Sequence, residues 1–295
     1  MGSPPVVGII GGSGLYQIDG LSEVRWRRVS SSFGAPSDEL CFGTLDGVPV
    51  VFLPRHGRGH PIPPHEINYR ANIDALKRAG VTDLISLSAV GSLAEDLPPG
   101  SFVLVDQFID RTVARATSFF GTGCVAHVSM AQPVCTRLSG RLATAAHASG
   151  IAARRGGTHI VIEGPQFSSL AESQLYRSWG CDIIGMTNMP EAKLAREAEI
   201  CYATVAMVTD FDCWHPEHAD VTVAGIAAVL AANADKARAL VAAAVPLIAA
   251  DRDCPQGCRT ALDHALITAP QARDPALVQK LDAVAGRVLR RTEPP

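Results

Sequence analysis

The sequence predicts one α/β domain built on a twisted, mixed but largely parallel β-sheet flanked by helices. Three observations carry that expectation. Short apolar runs alternate with amphipathic segments along the chain, as βα units require. Polar residues recur just past the C-terminal ends of the apolar runs, where open α/β sheets bind their ligands. No repeat, low-complexity tract or linker interrupts this order before residue 251. The expected division is a domain over 1–250 and a C-terminal tail over 251–295 that packs on the same domain.

The elements follow in order. Val6 to Ile10 reads as a buried strand stopped by Gly11 and Gly12. "LCFGTLDGVPVVFLPR" reads as a hairpin about Asp46-Gly47, because both central residues of such a turn tolerate positive φ. "NYRANIDALKRAG" reads as a helix stopped by Gly80. "VTDLISLSAVGS" is a further buried strand, and "FVLVDQFID" another, with Asp106 and Asp110 at its polar end. Cys135 to Gly150 is expected to be helical, and "THIVIEGPQFSS" to be a strand entering a Gly-Pro turn. A helix from Leu170 to Gly180 and a short strand in "CDIIGM" come next. "MPEAKLAREAE" is a helix with Pro190 suited to its first turn. "CYATVAMVTDFD" is a strand, followed by a long helix and a Pro-rich segment with one last helix near Leu277 to Leu289.

Charge and composition exclude several classes of function. Of 295 residues, 47% are hydrophobic and 19% charged, enough for a sizeable core. The formal net charge is −3 with no basic block, so the electrostatic footprint of a nucleic-acid binder is missing. The longest aliphatic region, Val221 to Ala250, contains Asn233, Asp235, Lys236 and Arg238, which suits an amphipathic helix rather than a membrane span. "PPVVGII" is too short for the apolar core of a signal peptide and has no basic flank. A cytoplasmic protein is expected.

Eight cysteines in such a protein are reduced thiols by default. Cys254 and Cys258 form C-P-Q-G-C. No second pair of matching spacing follows, and His264 is the one other ligand type nearby, so no metal is expected. A local disulfide across the Pro-Gly turn is the alternative to free thiols.

The first glycines, in "GIIGGSGLYQ", invite a dinucleotide reading that the spacing refuses. Counting from Gly12, the third glycine should fall at Gln17; counting from Gly11, Ser13 occupies the second place. Two readings remain: a plain strand-to-loop turn, or a backbone nest in which N–H groups and the Ser13 hydroxyl hold an anion. "FLPRHGRGH" places Arg55, His56, Arg58 and His60 directly after an apolar strand, as a solvated basic turn or as a phosphate fork. "LSAVGS" ends another strand with Ser88 and the Ala89 N–H. Three polar strand ends that all suit an oxyanion favour a phosphate site.

At the other end, "VTDFDCW" places Asp210 and Asp212 two apart, on one face of extended chain. They read either as a helix cap with an exposed acid or as a pair of repelling carboxylates, one of which keeps its proton. Such a pair suits a ring nitrogen and an exocyclic amino group. Phe167 in "EGPQFSS" is core or a stacking aromatic at a pocket mouth. Met186 in "GMTNMPE", with Thr187 beside it, is core or a soft surface under a sugar.

Together "GIIGGSGLY", "LPRHGRGH…NYRANI", "SAVGS", "DQFIDRT", "IEGPQFSS", "GMTNMPEAKLAREAEICYA" and "VTDFDCW" resemble the methylthioadenosine phosphorylase branch of the trimeric purine nucleoside phosphorylases. The pieces stand in order over residues 6 to 240. The resemblance implies a purine nucleoside phosphorylase-like fold and phosphorolysis of 5′-methylthioadenosine by inorganic phosphate, without metal or organic cofactor. It implies phosphate binding by Ser13, Arg55, His56, Ser88, the Ala89 backbone and Thr187. Phe167 would pack on the purine and Met186 under the ribose, with Asp210 at N7 and Asp212 at the 6-amino group. Val223 and Ala227 would wall an apolar 5′ pocket, and His127 would be lent across the interface of a homotrimer, or of a hexamer built from trimers. Departures stand beside the match. Gln166 occupies a place where many relatives carry Arg, Gly185 one where animal forms carry Asn, and Ala227 one where a leucine is expected. The C-P-Q-G-C tail is similar to a cysteine-bearing tail of some microbial relatives, which can be disulfide-linked. The alternatives are a phosphorylase for adenosine, inosine or methylthioinosine, and a non-catalytic purine or phosphate binder on the same scaffold.

Overall fold

The computed structural model describes residues 5–12, 18–216 and 223–290. Its strands are β1 (Val6–Gly11), β2 (Ser22–Arg27), β3 (Leu40–Leu45), β4 (Val48–Pro54), β5 (Val81–Ser92), β6 (Phe102–Leu104), β7 (Gln107–Arg111), β8 (Ala153–Arg155), β9 (Thr158–Ile162), β10 (Ile183–Gly185) and β11 (Cys201–Asp210). Its helices are α1 (Tyr69–Arg78), α2 (Thr136–Ala148), α3 (Leu170–Ser178), α4 (Glu191–Glu197), α5 (Val223–Ala250), α6 (Pro275–Lys280) and α7 (Gly286–Leu289).

All eleven strands belong to one mixed sheet, and the α/β class stands as read from the sequence. Parallel pairing dominates its centre, where β1 lies between β4 and β5 and β11 runs beside β5. The β3–β4 hairpin turns on Asp46 and Gly47, at φ 47° and 75°. Both sit in the left-handed region that the tight hairpin turn demands.

Side-chain alternation along the central strands feeds two cores, one on each face. Val7, Ile9, Val50, Phe52, Ile85, Leu87, Val205 and Met207 face α2 and α5, meeting Leu138, Leu142, Leu240 and Val245. Ile10, Val51, Leu53, Leu84 and Tyr202 face the other way, onto Ile73 and Leu76 of α1 and Leu194 of α4. Leu262, Leu281, Val284 and Val288 of the C-terminal segment join this second core. Ion pairs Arg78–Asp282, Arg259–Asp83 and Arg287–Glu199 tie the same segment to the body of the domain.

Topology explains where the sequence reading and the structure part. "FVLVDQFID" is two strands, not one. β6 pairs with β11 and β8, whereas β7 pairs with β9 in a different wing of the sheet, so the chain must turn at Val105 and Asp106. The Asp106 carboxylate accepts the Gly157 N–H at 3.0 Å across that turn. β2 and β8 are edge strands of exposed or half-buried residues; β2 alternates Val24 and Trp26 with charged residues, a pattern the sequence reading passed over, whereas β8, Ala-Arg-Arg, carries none. The last helix is also two, α6 and α7, the first capped by the Asp274 side chain accepting from Ala276 N–H. Pro190 stands just before α4, at its cap, and not inside the first turn. Cys254 and Cys258 are both free thiols, so the local disulfide is not formed. No helix among the described residues is long and apolar enough to cross a membrane.

Candidate active site

One edge of β5 creates the site. β11 covers the first edge from Asp83 to Gly91. The second edge is shared: β1 pairs with it as far as Ser86, and antiparallel β10 picks it up again at Gly91 and Ser92. Between them, Leu87 to Val90 have no strand partner on that edge among the described residues. A cavity of about 250 Å³ opens there, with Ala89, Val90 and Gly91 in its floor.

The two polar ends of the cavity lie along this one strand. At the first end are His56, His60, Ala89 and Thr187. The Ser88 hydroxyl lies 3.2 Å from that of Thr187. The His56 ring stacks on His60 with centroids 4.1 Å apart, and its Nδ1 is bonded to the Ile62 carbonyl at 2.8 Å. That bond keeps the neutral ring's proton on Nδ1 and leaves Nε2 as an acceptor. Burial, helped by the nearby Arg55 charge, lowers the His56 pKa to about 4, so the neutral form prevails at neutral pH.

At the second end are Thr209, Asp210 and Asp212. Asp210 stands opposite Gly91 in the β5–β11 ladder, and Gly91 is three residue steps along the strand from Ser88. At the rise of extended chain this is roughly 10 Å. A methyl group on Gly91 would come within 2.9 Å of Asp210 Oδ1, so the glycine makes room for the carboxyl. Burial raises the pKa of both acids, and for Asp212 the Asp210 charge adds to the rise. The Asp210 Oδ1 accepts the Asp212 N–H at 2.8 Å. Thr209 Oγ1 has two acceptors in reach, Val90 O at 3.2 Å and Asp210 Oδ2 at 2.7 Å, but one proton. A proton on Asp210 satisfies both contacts. Asp212 Oδ2 is buried with no partner.

The walls between the ends are apolar, formed by Ile162, Ile184, Met186, Ile226 and Leu230. Phe167 stands at the edge of the cavity and is 45% exposed, which removes it from the core.

Other predicted residues take different places. Ser13 lies outside the described residues. Arg55 is buried behind the wall, where Nε and Nη2 bind both oxygens of Glu191 at 2.9 and 3.2 Å and Nη1 donates to Leu87 O at 3.1 Å. Val223, 75% exposed, and Ala227 do not line the cavity; Ile226 and Leu230 on the neighbouring stripe of α5 do. His127 is exposed in a separate depression beside Lys193 and Glu197.

Supporting residues escaped the sequence reading. Glu191 also accepts from Ser86 Oγ and from the Tyr202 hydroxyl, each within 2.9 Å. Arg115, with its side chain 1% exposed, donates to Met186 O, Met189 O and Glu163 O and pairs with the Glu163 carboxylate. It thereby fastens the Met186–Met189 loop to the end of β9. A glutamate at the start of a helix and an arginine in a loop are common, and nothing in their spacing marks them.

A mixed sheet with this split strand edge, and a cavity with two unlike polar ends, suit the phosphorylase class. The chain belongs to the phosphorylase superfamily, whose family model matches residues 6–246. Within it, the chain is 64% identical over 286 residues to the S-methyl-5′-thioadenosine phosphorylase of Cereibacter sphaeroides, covering 97% of this chain and 99% of that one. It is 65% identical, over 97% of this chain and 98% of the other, to the enzyme of that name from Bradyrhizobium diazoefficiens. It superposes with a TM-score of 0.91, at 48% identity over 96% of this chain and 99% of the other, on a methylthioadenosine phosphorylase from an Antarctic soil metagenomic library. The methylthioadenosine phosphorylase of Schistosoma mansoni in complex with adenine superposes at 0.81, with 40% identity over 86% of this chain and 94% of that one.

Two outcomes follow. Glu191→Ala strands the buried Arg55 charge and lowers unfolding stability by about 3–5 kcal/mol in urea titration, whereas Glu191→Gln, which keeps the shape and part of the bonding, costs less. The second concerns acid. His56, and His159 with its pKa lowered to about 3 by burial and by Arg55, both bind protons more readily in the unfolded chain. Their contribution is therefore complete above about pH 6.5 and is lost as pH falls toward about 4. The raised acids Asp210 and Asp212 act with the opposite sign, losing their contribution as pH rises through their folded pKa values. Denaturant unfolding followed from about pH 7 to about pH 4 shows the decline, and His56→Asn makes it shallower.

Proposed function

We propose that the chain cleaves S-methyl-5′-thioadenosine by phosphorolysis, giving adenine and 5-methylthioribose 1-phosphate. The observation that carries this reading is the pair of unlike polar ends set roughly 10 Å apart along β5. One end offers an N–H, hydroxyls and a neutral imidazole, and the other two acids held toward protonation. Phosphate binds at the Ser88, Ala89 and Thr187 end, with Arg55 braced behind it. A hydrogen phosphate brings the proton that His56 Nε2 accepts. Ser13, which lies outside the described residues, is assigned to this subsite by the family resemblance alone.

The purine lies at the Asp210 and Asp212 end, against Phe167, with Met186 under the ribose. As the glycosidic bond breaks, positive charge grows at C1′ and negative charge on the base. The phosphate beside C1′ stabilises the first and then forms the new bond. Asp210 gives its proton to N7 and removes the second. Asp212 Oδ2, buried and unpartnered, accepts from the 6-amino group, which a 6-oxopurine lacks. The apolar side chains of Ile226 and Leu230 favour a methylthio group over a 5′-hydroxyl, which ranks this substrate above adenosine. The active form is a homotrimer in which the exposed His127 reaches a neighbour's site.

Adenine release from methylthioadenosine requires phosphate and exceeds hypoxanthine release from methylthioinosine. Equal rates, or turnover independent of phosphate, overturn the assignment. Asp210→Asn lowers the adenine rate about a hundredfold and narrows the gap to the 6-oxopurine substrate. Sedimentation of the native chain gives the mass of a trimer or a multiple of it.

A further inference from the structure

We propose that Cys135, Cys201, Cys254 and Cys258 form a structural zinc site that fastens the C-terminal segment to the core. The four Sγ atoms all lie within 4.8 Å of one another. They come from three parts of the chain. Cys135 immediately precedes α2, Cys201 opens β11, and Cys254 and Cys258 flank the turn after α5. Cys135, Cys201 and Cys258 are buried and Cys254 is half-buried.

The spacing suits a metal better than a disulfide. A tetrahedral tetrathiolate with Zn–S bonds of about 2.3 Å has sulfur atoms about 3.8 Å apart. Cys135 Sγ and Cys254 Sγ are 3.7 Å apart. A disulfide brings two sulfurs to about 2 Å and leaves other thiols out, whereas here four converge on one point. Four soft ligands with no open position select zinc and close the site to substrate, so its role is structural. None of the four lines the catalytic cavity.

The surroundings meet the charge such a site carries. Zinc with four thiolates has a net charge of minus two by simple count. Arg196 Nη1 donates to Cys258 Sγ at 3.4 Å, and the Arg137 guanidinium brings a positive charge close to Cys201. Donors to ligand sulfur are the outer-shell partners that hold metal thiolates in place. Arg137 is oriented in turn by Asp83, which also binds Arg259 of the tail, next to Cys258.

The test uses the full-length protein purified under reducing conditions without chelator. Elemental analysis is expected to find about one zinc per chain. Replacement by Co²⁺ is expected to give the intense absorption bands of a tetrahedral tetrathiolate, a readout independent of catalysis. Cys254→Ser, at the half-buried position, loses both, while Cys213→Ser, outside the cluster, keeps both. The proposal is overturned by four free thiols and no zinc after reduced protein is supplied with the metal. It is equally overturned by a disulfide joining any two of the four in peptide mapping, or by full zinc retention in Cys254→Ser.

Discussion

Where β1 leaves β5, a buried guanidinium takes over part of the missing strand's work. Leu87 is the first residue of β5 beyond the β1 ladder, and its carbonyl would be orphaned without Arg55 Nη1 at 3.1 Å. A buried carbonyl without a partner carries a substantial desolvation penalty. Arg55 is itself tolerable inside the protein only because Glu191, at the start of α4, balances its charge. Ser86, Tyr202 and Asn188 close the network around that pair. The strand edge can therefore stay open as a cavity floor while the Arg55 charge and the Leu87 carbonyl beneath it keep their partners.

The same logic governs protons inside the cavity. Burial pushes the two kinds of titratable group in opposite directions, imidazole toward its neutral base and carboxyl toward its neutral acid. Desolvation thus favours an acceptor at one end and a donor at the other. No protein nucleophile is needed in such a site, because the attacking group enters as a ligand.

Much of this was legible from local pattern. Strand β5 runs from Val81 to Ser92 as its apolar run ends, and the hairpin turns on Asp46-Gly47, because both signals are contained in neighbouring residues. Asp210, Asp212, His56, Thr187 and Met186 converge on one cavity for the same reason, each standing at or just beyond a strand end, with Phe167 in the turn after β9 and Ala89 inside β5, short of the strand end that the local pattern implied. What the sequence hid depends on long-range pairing. The split of "FVLVDQFID" is dictated by two partners that lie far apart in the chain. The partners of Cys254 and Cys258 are Cys135 and Cys201, 119 residues upstream of Cys254 in the first case, so no local spacing rule reaches them. The choice of Ile226 and Leu230 over Val223 and Ala227 turns on the rotation of α5 about its axis, which a uniformly aliphatic stretch leaves undetermined.

Both ends of the cavity are measured off by one strand. Ser88 and Gly91 are fixed in the β11 ladder, so the spacing of the cavity's two ends is set largely by backbone. A strand works as a gauge with a two-residue repeat: a single insertion within it would lengthen the gap and also turn every later side chain to the opposite face. Divergence in what this scaffold accepts is then channelled away from the floor and into the walls, where α5 and the loops can change one residue at a time without resetting the scale.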